Sequence, residues 1–426
     1  ERAPRRRGLV MVKSADCLVL GAGMVGVCTA LHLQKRGQDV VLIDRQPAGE
    51  GTSFGNAGII QAEGIVPYML PLDALRLFHM LLNRRGEAHV HYRALAAFAP
   101  WLARYGLNSF DKAITRTSNA NVPLIERCVS EHEALMTEAG TVGMMRRTGF
   151  LKVFRDTGDL EAAETADTVF AERYGINFEV INPDRLSDME PHLSDDLVGG
   201  IWYPDPVSLG DPSAAVKAYA DLFRANGGRF LTADARTLQE RASGGWQIAT
   251  VDGPIEAEHA VLTLGPWSAD LLSNFGVDVP LAPKRGYHMH FTVKGNATLQ
   301  RPVIDTDHGY VLTTMTDGIR LTTGAEFAAR DAKPTPKQLA QVEPHARALF
   351  PLEDRVAPEP WMGARPCLPD MLPMIGPVPR KPGLWANFGH HHLGLTLGAV
   401  SGRLIADLVT GEAPFADPAP YRVDRF

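Results

Sequence analysis

The first part of the chain alternates between short apolar runs and small, flexible residues. Residues 17–20 form an apolar run of the length expected for a buried parallel strand. A glycine-rich turn at 21–26 follows, and the apolar positions within 27–36 predict a helix. A second apolar run at 39–43 then ends at Asp44. This succession predicts a strand, a helix and a second strand in a parallel sheet.

The turn at 21–26 predicts a dinucleotide site because it reads G-x-G-x-x-G between a strand and a helix. Gly21 permits the tight turn, Gly23 lets the backbone approach a pyrophosphate, and Gly26 lets the helix lie close to the strand. The helix amino terminus offers N–H groups to the phosphates. Asp44, eighteen positions beyond Gly26, suits a free ribose 2′-hydroxyl and so favours FAD or NAD over NADP. The predicted cofactor contacts in this segment are Gly21, Gly23, Met24, Val25, Gly26, Asp44 and Arg45.

A loop rich in small residues, 51–58, follows the second strand. Such a loop can lie flat against a long cofactor and offer it backbone N–H groups. An ordinary flexible loop has the same composition, so this segment alone leaves both interpretations open.

Elements of the same kind return far downstream. Asp211 and Pro212 begin a predicted helix, as an acidic N-cap and a proline in the first turn. Residues 245–258 predict a hairpin, and the apolar run 260–264 predicts a buried strand. A glycine-rich helix is expected from about residue 394. The cofactor-binding domain is therefore expected to be assembled from separated segments.

The predicted fold is α/β: a Rossmann-type cofactor-binding domain interleaved with an α+β substrate domain built on an antiparallel sheet. Strand-like stretches at 285–291, 309–312 and 319–322 support that sheet. The expected boundaries are 1–13 for a flexible leader, 14–65, 211–277 and 353–417 for the cofactor-binding domain, 66–210 and 278–352 for the substrate domain, and 418–426 for a C-terminal tail.

Composition excludes several function classes. The formal charge of -6 argues against nucleic acid as a partner, because phosphate binding needs a basic face. The four cysteines lie far apart, which fits a reducing compartment and gives neither a disulfide framework nor a zinc site. No apolar run reaches the roughly 18 residues that span a bilayer. The arginine-rich start lacks the long apolar core of an export signal, so the cytoplasm is the expected compartment.

Three segments carry a resemblance to a known family. They are Ser53-x-x-Asn56-Ala57-Gly58, the block WMGARPCLPDMLPMIG at 361–376 and the block LWANFGHHHLGLT at 384–396. Together they resemble the glycine oxidases and D-amino-acid dehydrogenases, which are D-amino-acid oxidase-like flavoproteins, over nearly the whole chain after the leader. The departure from the family pattern is His391, where relatives usually carry a glycine. The resemblance implies noncovalently bound FAD and an enzyme that oxidises a small amino acid or amine.

The resemblance also implies roles for individual residues. Arg365 matches the arginine that binds the substrate carboxylate, and Tyr310 stands where an aromatic hydroxyl meets the substrate. Arg285 is a second candidate for the carboxylate, although a surface position suits it equally well. Without the resemblance, a structural ion pair would be the better interpretation of Arg365. The further cofactor contacts implied are Ser53, Asn56, Ala57, Gly58, Gly265, Trp267, Arg365, Gly389, His391, His392, Leu393, Gly394, Leu395 and Thr396.

The implied reaction passes a hydride from the substrate Cα to flavin N5 and leaves an imine that water converts to a keto acid. No side-chain base is needed where a partly desolvated pocket keeps the amine neutral. Candidate substrates are D-amino acids, glycine and secondary amines such as D-proline derivatives, with quinone or oxygen as electron acceptor. Two alternative functions stay open, an FAD-binding electron-transfer subunit of a larger amine dehydrogenase complex and an NAD-dependent dehydrogenase.

Two further patterns bear on metals and membranes. His288 and His290 share a predicted strand face, and residues 390–392 are consecutive histidines. Neither group has the carboxylate or cysteine partners of a metal site, so no metal is predicted. Residues 68–82 are helix-like and apolar, with a basic end at 84–85. They predict a cover over the active-site entrance, with peripheral contact to the inner membrane face as the alternative.

Overall fold

The computed structural model describes residues 13–426. The predicted leader lies outside the described residues apart from Lys13, which is the first residue of a strand. Within the described range the chain is organised around two large sheets.

Within residues 13–426 the chain forms 22 strands and ten α-helices. The strands are β1 (Lys13–Leu20), β2 (Val40–Asp44), β3 (Ile59–Ile60), β4 (Ala88–Val90), β5 (Met145–Arg146), β6 (Phe150–Phe154), β7 (Glu179–Ile181), β8 (Gly199–Tyr203), β9 (Val207–Leu209), β10 (Arg229–Thr232), β11 (Gln239–Glu240), β12 (Trp246–Thr250), β13 (Gly253–Leu262), β14 (Ala282–Val293), β15 (Val303–Asp305), β16 (Tyr310–Met315), β17 (Gly318–Thr322), β18 (Ala325–Phe327), β19 (Leu352–Arg355), β20 (Trp361–Cys367), β21 (Met374–Pro377) and β22 (Leu384–Phe388). The helices are α1 (Met24–Lys35), α2 (Ala74–Leu81), α3 (Leu95–Leu107), α4 (Asp111–Glu138), α5 (Thr157–Tyr174), α6 (Pro183–Met189), α7 (Pro212–Ala225), α8 (Ser268–Ser273), α9 (Lys337–Leu349) and α10 (Gly394–Thr410).

The first sheet has a parallel centre that includes the amino-terminal strand. Its strands run in the order β10-β2-β1-β13, and β22 also pairs with β13 in parallel. One face is buried against α1, α7 and α10, and apolar side chains on the other face pack with α8 and with β12, an antiparallel strand that extends the same sheet beyond β13. Because both faces are covered, its strands are continuous apolar runs rather than alternating ones.

The second sheet has 11 strands and is mostly antiparallel. Its main path is β4-β18-β14-β17-β16-β15-β6-β8-β7, and β19 and β20 also pair with β14. Within the described residues, only β4–β18 and β6–β15 are parallel neighbours in this sheet. Apolar side chains of α6 and α9 cover one face. The prediction of a mixed α/β fold is confirmed.

Two expected segment boundaries differ from the strand pairing. β20 and all of β19 except Leu352 lie within the expected cofactor segment 353–417, but both strands pair with β14 and so belong to the second sheet. The register is continuous along β20, from Trp361 opposite His288 to Cys367 opposite Ala282. Residues 418–426 are tied to the body of the protein, because Tyr421 is fully buried and Arg425 pairs with Asp370 at 2.7 Å.

Two observations bear on membranes and thiols. Among the described residues, no helix combines the length and apolar character needed to cross a bilayer. All four cysteines are buried free thiols.

Candidate active site

A cavity of about 840 Å³ is lined by residues of both sheets, a volume that suits a large ligand. Most of the predicted contacts meet there. Those lining it are Gly21, Gly23, Met24, Val25, Asp44, Arg45, Ser53, Asn56, Ala57, Gly265, Trp267, Arg365, Gly389, His391, His392, Gly394 and Leu395.

The turn between β1 and α1 forms a cradle that requires glycine. Gly21 has a φ of 112°, and a Cβ at Gly26 would lie 1.7 Å from the carbonyl oxygen of Gly21. Gly23 caps α1 without a side-chain hydrogen bond, and the first turn of α1 holds no acidic residue. The Met24 N–H donates to Ser53 Oγ at 3.0 Å, which ties the small-residue loop to this helix end. The helix end thus offers N–H groups and a positive dipole to a pyrophosphate.

Asp44 ends β2 at the cavity wall. Its Oδ2 accepts the Ala22 N–H at 2.7 Å and its Oδ1 accepts the Gln46 N–H at 3.0 Å. These bonds hold the carboxylate in place while each oxygen keeps a lone pair for a ribose hydroxyl. Residues 233–236, which follow β10, also line this part of the cavity. Sequence reasoning missed them, although the carboxyl end of the next parallel strand is where such contacts are expected.

A second helix end reaches the same cavity. Gly394 and Leu395, at the start of α10, line it, and the N-cap residue Leu393 offers no side-chain cap. A Cβ at Gly398 would lie 2.5 Å from Met24 Cγ, so the glycine allows α10 to contact α1 closely. Two positive helix ends therefore converge on one ligand site.

Four predicted cofactor residues, Gly26, Gly58, Leu393 and Thr396, do not line the cavity but shape its wall. Gly58 has a φ of 77°, and a Cβ there would lie 2.4 Å from the Leu209 carbonyl oxygen. Thr396 Oγ1 accepts the Gln61 N–H at 3.0 Å and so links α10 to the loop after β3. These residues hold the backbone that forms the cavity wall.

Arg365 lies on β20 with its guanidinium at the cavity. Nη1 donates to the Gly324 carbonyl at 2.9 Å and Nη2 to the Thr323 carbonyl at 3.1 Å. Burial lowers the pKa of Arg365, and the opposing influence comes from Cys367 rather than from a carboxylate. A guanidinium has five N–H donors, so three are left for a ligand.

The structure does not bring Arg285 or Tyr310 to the cavity. Arg285 is fully buried and pairs with Glu326 at 2.6 Å. The Tyr310 hydroxyl donates to Asp305 at 2.8 Å, and Val311 takes the cavity face of β16 instead. Side chains alternate along a strand, so a shift of one residue moves a group to the other face. Both residues thus have satisfied partners away from the site.

The family model for FAD-dependent oxidoreductases of the D-amino-acid oxidase (DAO) type matches residues 16–408. The chain belongs to this family. The D-amino acid dehydrogenase of Vibrio cholerae is 31% identical over 414 residues, covering 94% of this chain and 96% of that protein. The D-amino acid dehydrogenase of Paramagnetospirillum magneticum is 33% identical over 430 residues, covering 96% and 98%.

Solved structures share the fold of this FAD-dependent oxidoreductase. Glycine oxidase from Geobacillus kaustophilus superposes with a TM-score of 0.74 at 21% identity, covering 97% of this chain and 100% of that one. L-proline dehydrogenase from P. horikoshii superposes with a TM-score of 0.73 at 19% identity, covering 98% of each chain. Family membership also makes FAD the cofactor, which overturns the alternative of an NAD-dependent dehydrogenase.

The cavity of this FAD-dependent oxidoreductase also fits FAD chemically. Thr322 Oγ1, Asn387 Oδ1 and His391 Nε2 are buried in its wall without a partner in the described protein. Buried polar atoms need partners, and a flavin nucleotide offers carbonyls, ring nitrogens and hydroxyls. His391 has a φ of 43°, the left-handed region that glycine adopts most easily. A glycine, which the family resemblance leads one to expect at this position, would adopt this φ without strain.

Several residues that line the cavity were not among the predicted ligand contacts. Gln61 and Tyr68 come from the loop after β3, and the Tyr68 ring lies 5.1 Å from the His392 ring. Trp361 covers Gly55 so closely that a Cβ there would lie 1.7 Å from the indole. Arg330 donates to the Pro266 carbonyl at 3.0 Å and so joins the loop after β18 to the turn after β13. Trp361 opens the block 361–376 and Tyr68 the stretch predicted to cover the entrance, whereas no local sequence signal marks Gln61 or Arg330, which reach the cavity only through tertiary structure.

Two groups of side chains have metal-ligand chemistry, namely His89, His91 and Glu326, and Asp305, Asp307 and His308. Each carboxylate centre is already paired with arginine. Arg285 lies 2.6 Å from Glu326, and Arg155 lies 3.0 Å from Asp305. The neighbouring arginine offsets part of the negative charge that would attract a metal.

Proposed function

We propose that the protein oxidises the CH–NH bond of a small amino acid to an imine, which hydrolyses to a keto acid. The observation that carries this proposal is Arg365, a guanidinium at the cofactor cavity whose hydrogen bonds in the described protein go to two backbone carbonyls. A desolvated cation without an acidic partner is costly unless an anion binds it. A substrate carboxylate is a suitable anion because it accepts two parallel hydrogen bonds from the guanidinium fork.

When bound, FAD supplies the hydride acceptor. Arg365 fixes the carboxylate, and the apolar wall of Ile59, Ile304 and Val311 desolvates the rest of the substrate. Desolvation favours the neutral amine, whose lone pair assists departure of the hydride. Burial lowers the pKa of His392 to about 3, so this neighbour stays neutral and adds no repulsion toward the amine. No side-chain base is required.

The substrate class follows from the relatives and the second sheet. The matched proteins of Vibrio cholerae and Paramagnetospirillum magneticum are named D-amino acid dehydrogenases, which supports D-amino acids as substrates here. The second sheet, which carries Arg365, serves in this proposal as the substrate domain. Glycine and D-proline derivatives can undergo the same CH–NH oxidation. A quinone or oxygen then accepts the electrons from the reduced flavin.

The test is anaerobic mixing of purified protein with D-amino acids, glycine, D-proline and N-methyl amino acids. The flavin absorbance band at about 450 nm should bleach when one of these substrate classes is added. Readmitting air then separates an oxidase, which regains colour, from a dehydrogenase. A yellow protein that no amine bleaches would overturn the proposal in favour of an electron-transfer subunit.

We also propose that α2 rests on an anionic membrane surface. Leu75 and Phe78 on this helix are 64% and 55% exposed, and no α2 residue is buried. Arg84 and Arg93 lie close by in the chain, and such a face binds anionic lipid headgroups. Co-sedimentation with phosphatidylglycerol vesicles should be lost in a Leu75→Glu, Phe78→Glu double variant. Equal binding of both proteins would contradict this proposal.

A further inference from the structure

One row of side chains crosses the cavity face of the second sheet. Cross-strand pairing joins Trp361, His288, Thr322, Val311, Ile304 and Lys152 through β20, β14, β17, β16, β15 and β6. The Arg365 guanidinium lies over Gly286 and reaches the carbonyls at 323–324, just after β17. From there Val311 and Ile304 continue the cavity floor over two strand spacings, or about 10 Å. That length accommodates an extended substrate side chain.

A carboxyl group lies behind the wall near the end of this floor. Gln61 and Tyr68 line the cavity, and Glu63 Oε1 accepts the Gln61 Nε2–H at 2.9 Å. The second carboxyl oxygen, Oε2, is buried and has no partner in the described protein. The Gln61 backbone is held as well, because its N–H donates to Thr396 Oγ1. Glu63 therefore fixes the orientation of an amide that faces the cavity.

The charged groups around Glu63 do not neutralise it fully. Lys152, on β6, attracts the Glu63 carboxylate electrostatically. Its ammonium group also forms an ion pair with Asp167 at 3.4 Å, so its charge is divided between the two carboxyl groups. Tyr203 donates a hydrogen bond to Asp167, and Tyr68 and the buried thiol of Cys128 are further titratable neighbours of Glu63. Burial raises the pKa of Glu63 to about 7, with Asp167 adding to the shift and Lys152 opposing it. The cluster holds two carboxyl groups and one ammonium.

We propose that Glu63 is a specificity-positioning residue, which acts through Gln61 and Tyr68 to favour substrates with a cationic or hydrogen-bond-donating end and to exclude those with a carboxylate end. The inference rests on the proposed function, with Arg365 holding the α-carboxylate. A cationic substrate end is attracted by the negative charge of Glu63 and can donate a hydrogen bond to the oriented Gln61 amide. A second substrate carboxylate is instead repelled by Glu63 in a desolvated site. The preference should strengthen as pH rises through about 7, because Glu63 becomes ionised.

The experiment compares kcat/KM for D-lysine, D-glutamate and D-alanine in the FAD-loaded wild type and in Glu63→Gln, between about pH 6 and pH 8.5. Ionisation of the α-amine is common to the three substrates and largely cancels in their ratios. We expect wild type to prefer D-lysine over D-glutamate increasingly with pH. In Glu63→Gln the ratio should fall at least about tenfold at pH 8.5, mostly through KM, and lose its pH dependence.

Glu240→Gln is the matched control, because Glu240 is exposed and pairs with Lys381 outside the cavity. It should keep the wild-type ratio and pH profile. An unchanged ratio in Glu63→Gln, with D-alanine still oxidised, would overturn this inference alone. If the wild type oxidised neither D-alanine nor any of the other amino acids tested for the proposed function, that result would instead overturn the proposed function. Should Glu63→Gln lose FAD, Glu63→Asp replaces it and should retain the pH dependence.

Discussion

Replacing Arg365 tests the central step of the proposed mechanism. Two charge-assisted hydrogen bonds to a carboxylate contribute about 1.5–3 kcal/mol each. Their loss in Arg365→Met is therefore expected to cost about 3–6 kcal/mol of transition-state binding, or about 10²- to 10⁴-fold in kcat/KM. Arg365→Lys keeps a charge but loses the fork, so it should recover only part of this loss.

The assay compares each amino acid with the amine that lacks its carboxylate. Wild type should prefer the amino acid strongly, while Arg365→Met should treat the two nearly alike, because the residue acts on the carboxylate only. FAD content is measured by absorbance in every variant. The contacts of the cradle at Gly21 and Gly26 do not involve Arg365, so bound FAD should be unchanged.

Near-normal turnover of the amino acid by Arg365→Met with full FAD content would refute the reasoning. An equal loss of activity on the amino acid and on the bare amine would also refute it. That result would mean that Arg365 supports the fold through the carbonyls of Thr323 and Gly324 and not through the substrate.

Three further predictions concern the cofactor cradle and the buried charges. Gly26→Ala should yield a colourless protein, because its Cβ would lie 1.7 Å from the Gly21 carbonyl oxygen, and a yellow protein would contradict this. Glu326→Ala should lower the free energy of unfolding by about 3–5 kcal/mol, because Arg285 is left buried and unpaired; urea titration measures it, and an added Arg285→Met should restore part of the loss. Burial lowers the pKa of His132 to about 4 in the folded protein. As pH falls below about 6.5, this histidine is therefore protonated in the unfolded state but stays neutral in the folded state. The free energy of unfolding consequently decreases between about pH 6.5 and pH 4. His132→Gln should therefore reduce the stability lost between about pH 7.5 and pH 5 by about 2 kcal/mol, measured by urea unfolding at both values.

The cofactor half of the site follows from local sequence. The G-x-G-x-x-G turn, the acid after the second strand and the glycine-rich start of α10 all line the cavity or shape its wall. Each of these features is a short segment whose backbone geometry depends on its own residues, as the φ of 112° at Gly21 illustrates. Local signals of this kind are therefore readable without tertiary information.

The substrate half depends on pairings that are distant in sequence. Trp361 on β20 covers Gly55 in the loop before β3, whereas Gln61 and Tyr68 come from the loop after β3, so the three residues line one cavity only through tertiary structure. Tyr310 has the predicted residue type in the predicted strand, but its hydroxyl binds Asp305 on the other side. The sequence pattern identifies a strand, whereas the cavity face is decided by register with neighbouring strands. Apart from Arg365, which the family resemblance implied, this half of the site could not be assigned from sequence alone.

The two candidate arginines illustrate how a single register decides function. β14 and β20 are antiparallel neighbours in which Lys284 lies opposite Arg365 and Arg285 lies opposite Ala364. Because facing residues share a side of the sheet, Arg365 and Arg285 point to opposite sides. On one side Gly286 leaves room for a guanidinium at the cavity, and a Cβ there would lie 2.7 Å from Arg365. On the other side Glu326 neutralises Arg285, so of the two arginines Arg365 is the one that keeps its charge for a substrate anion.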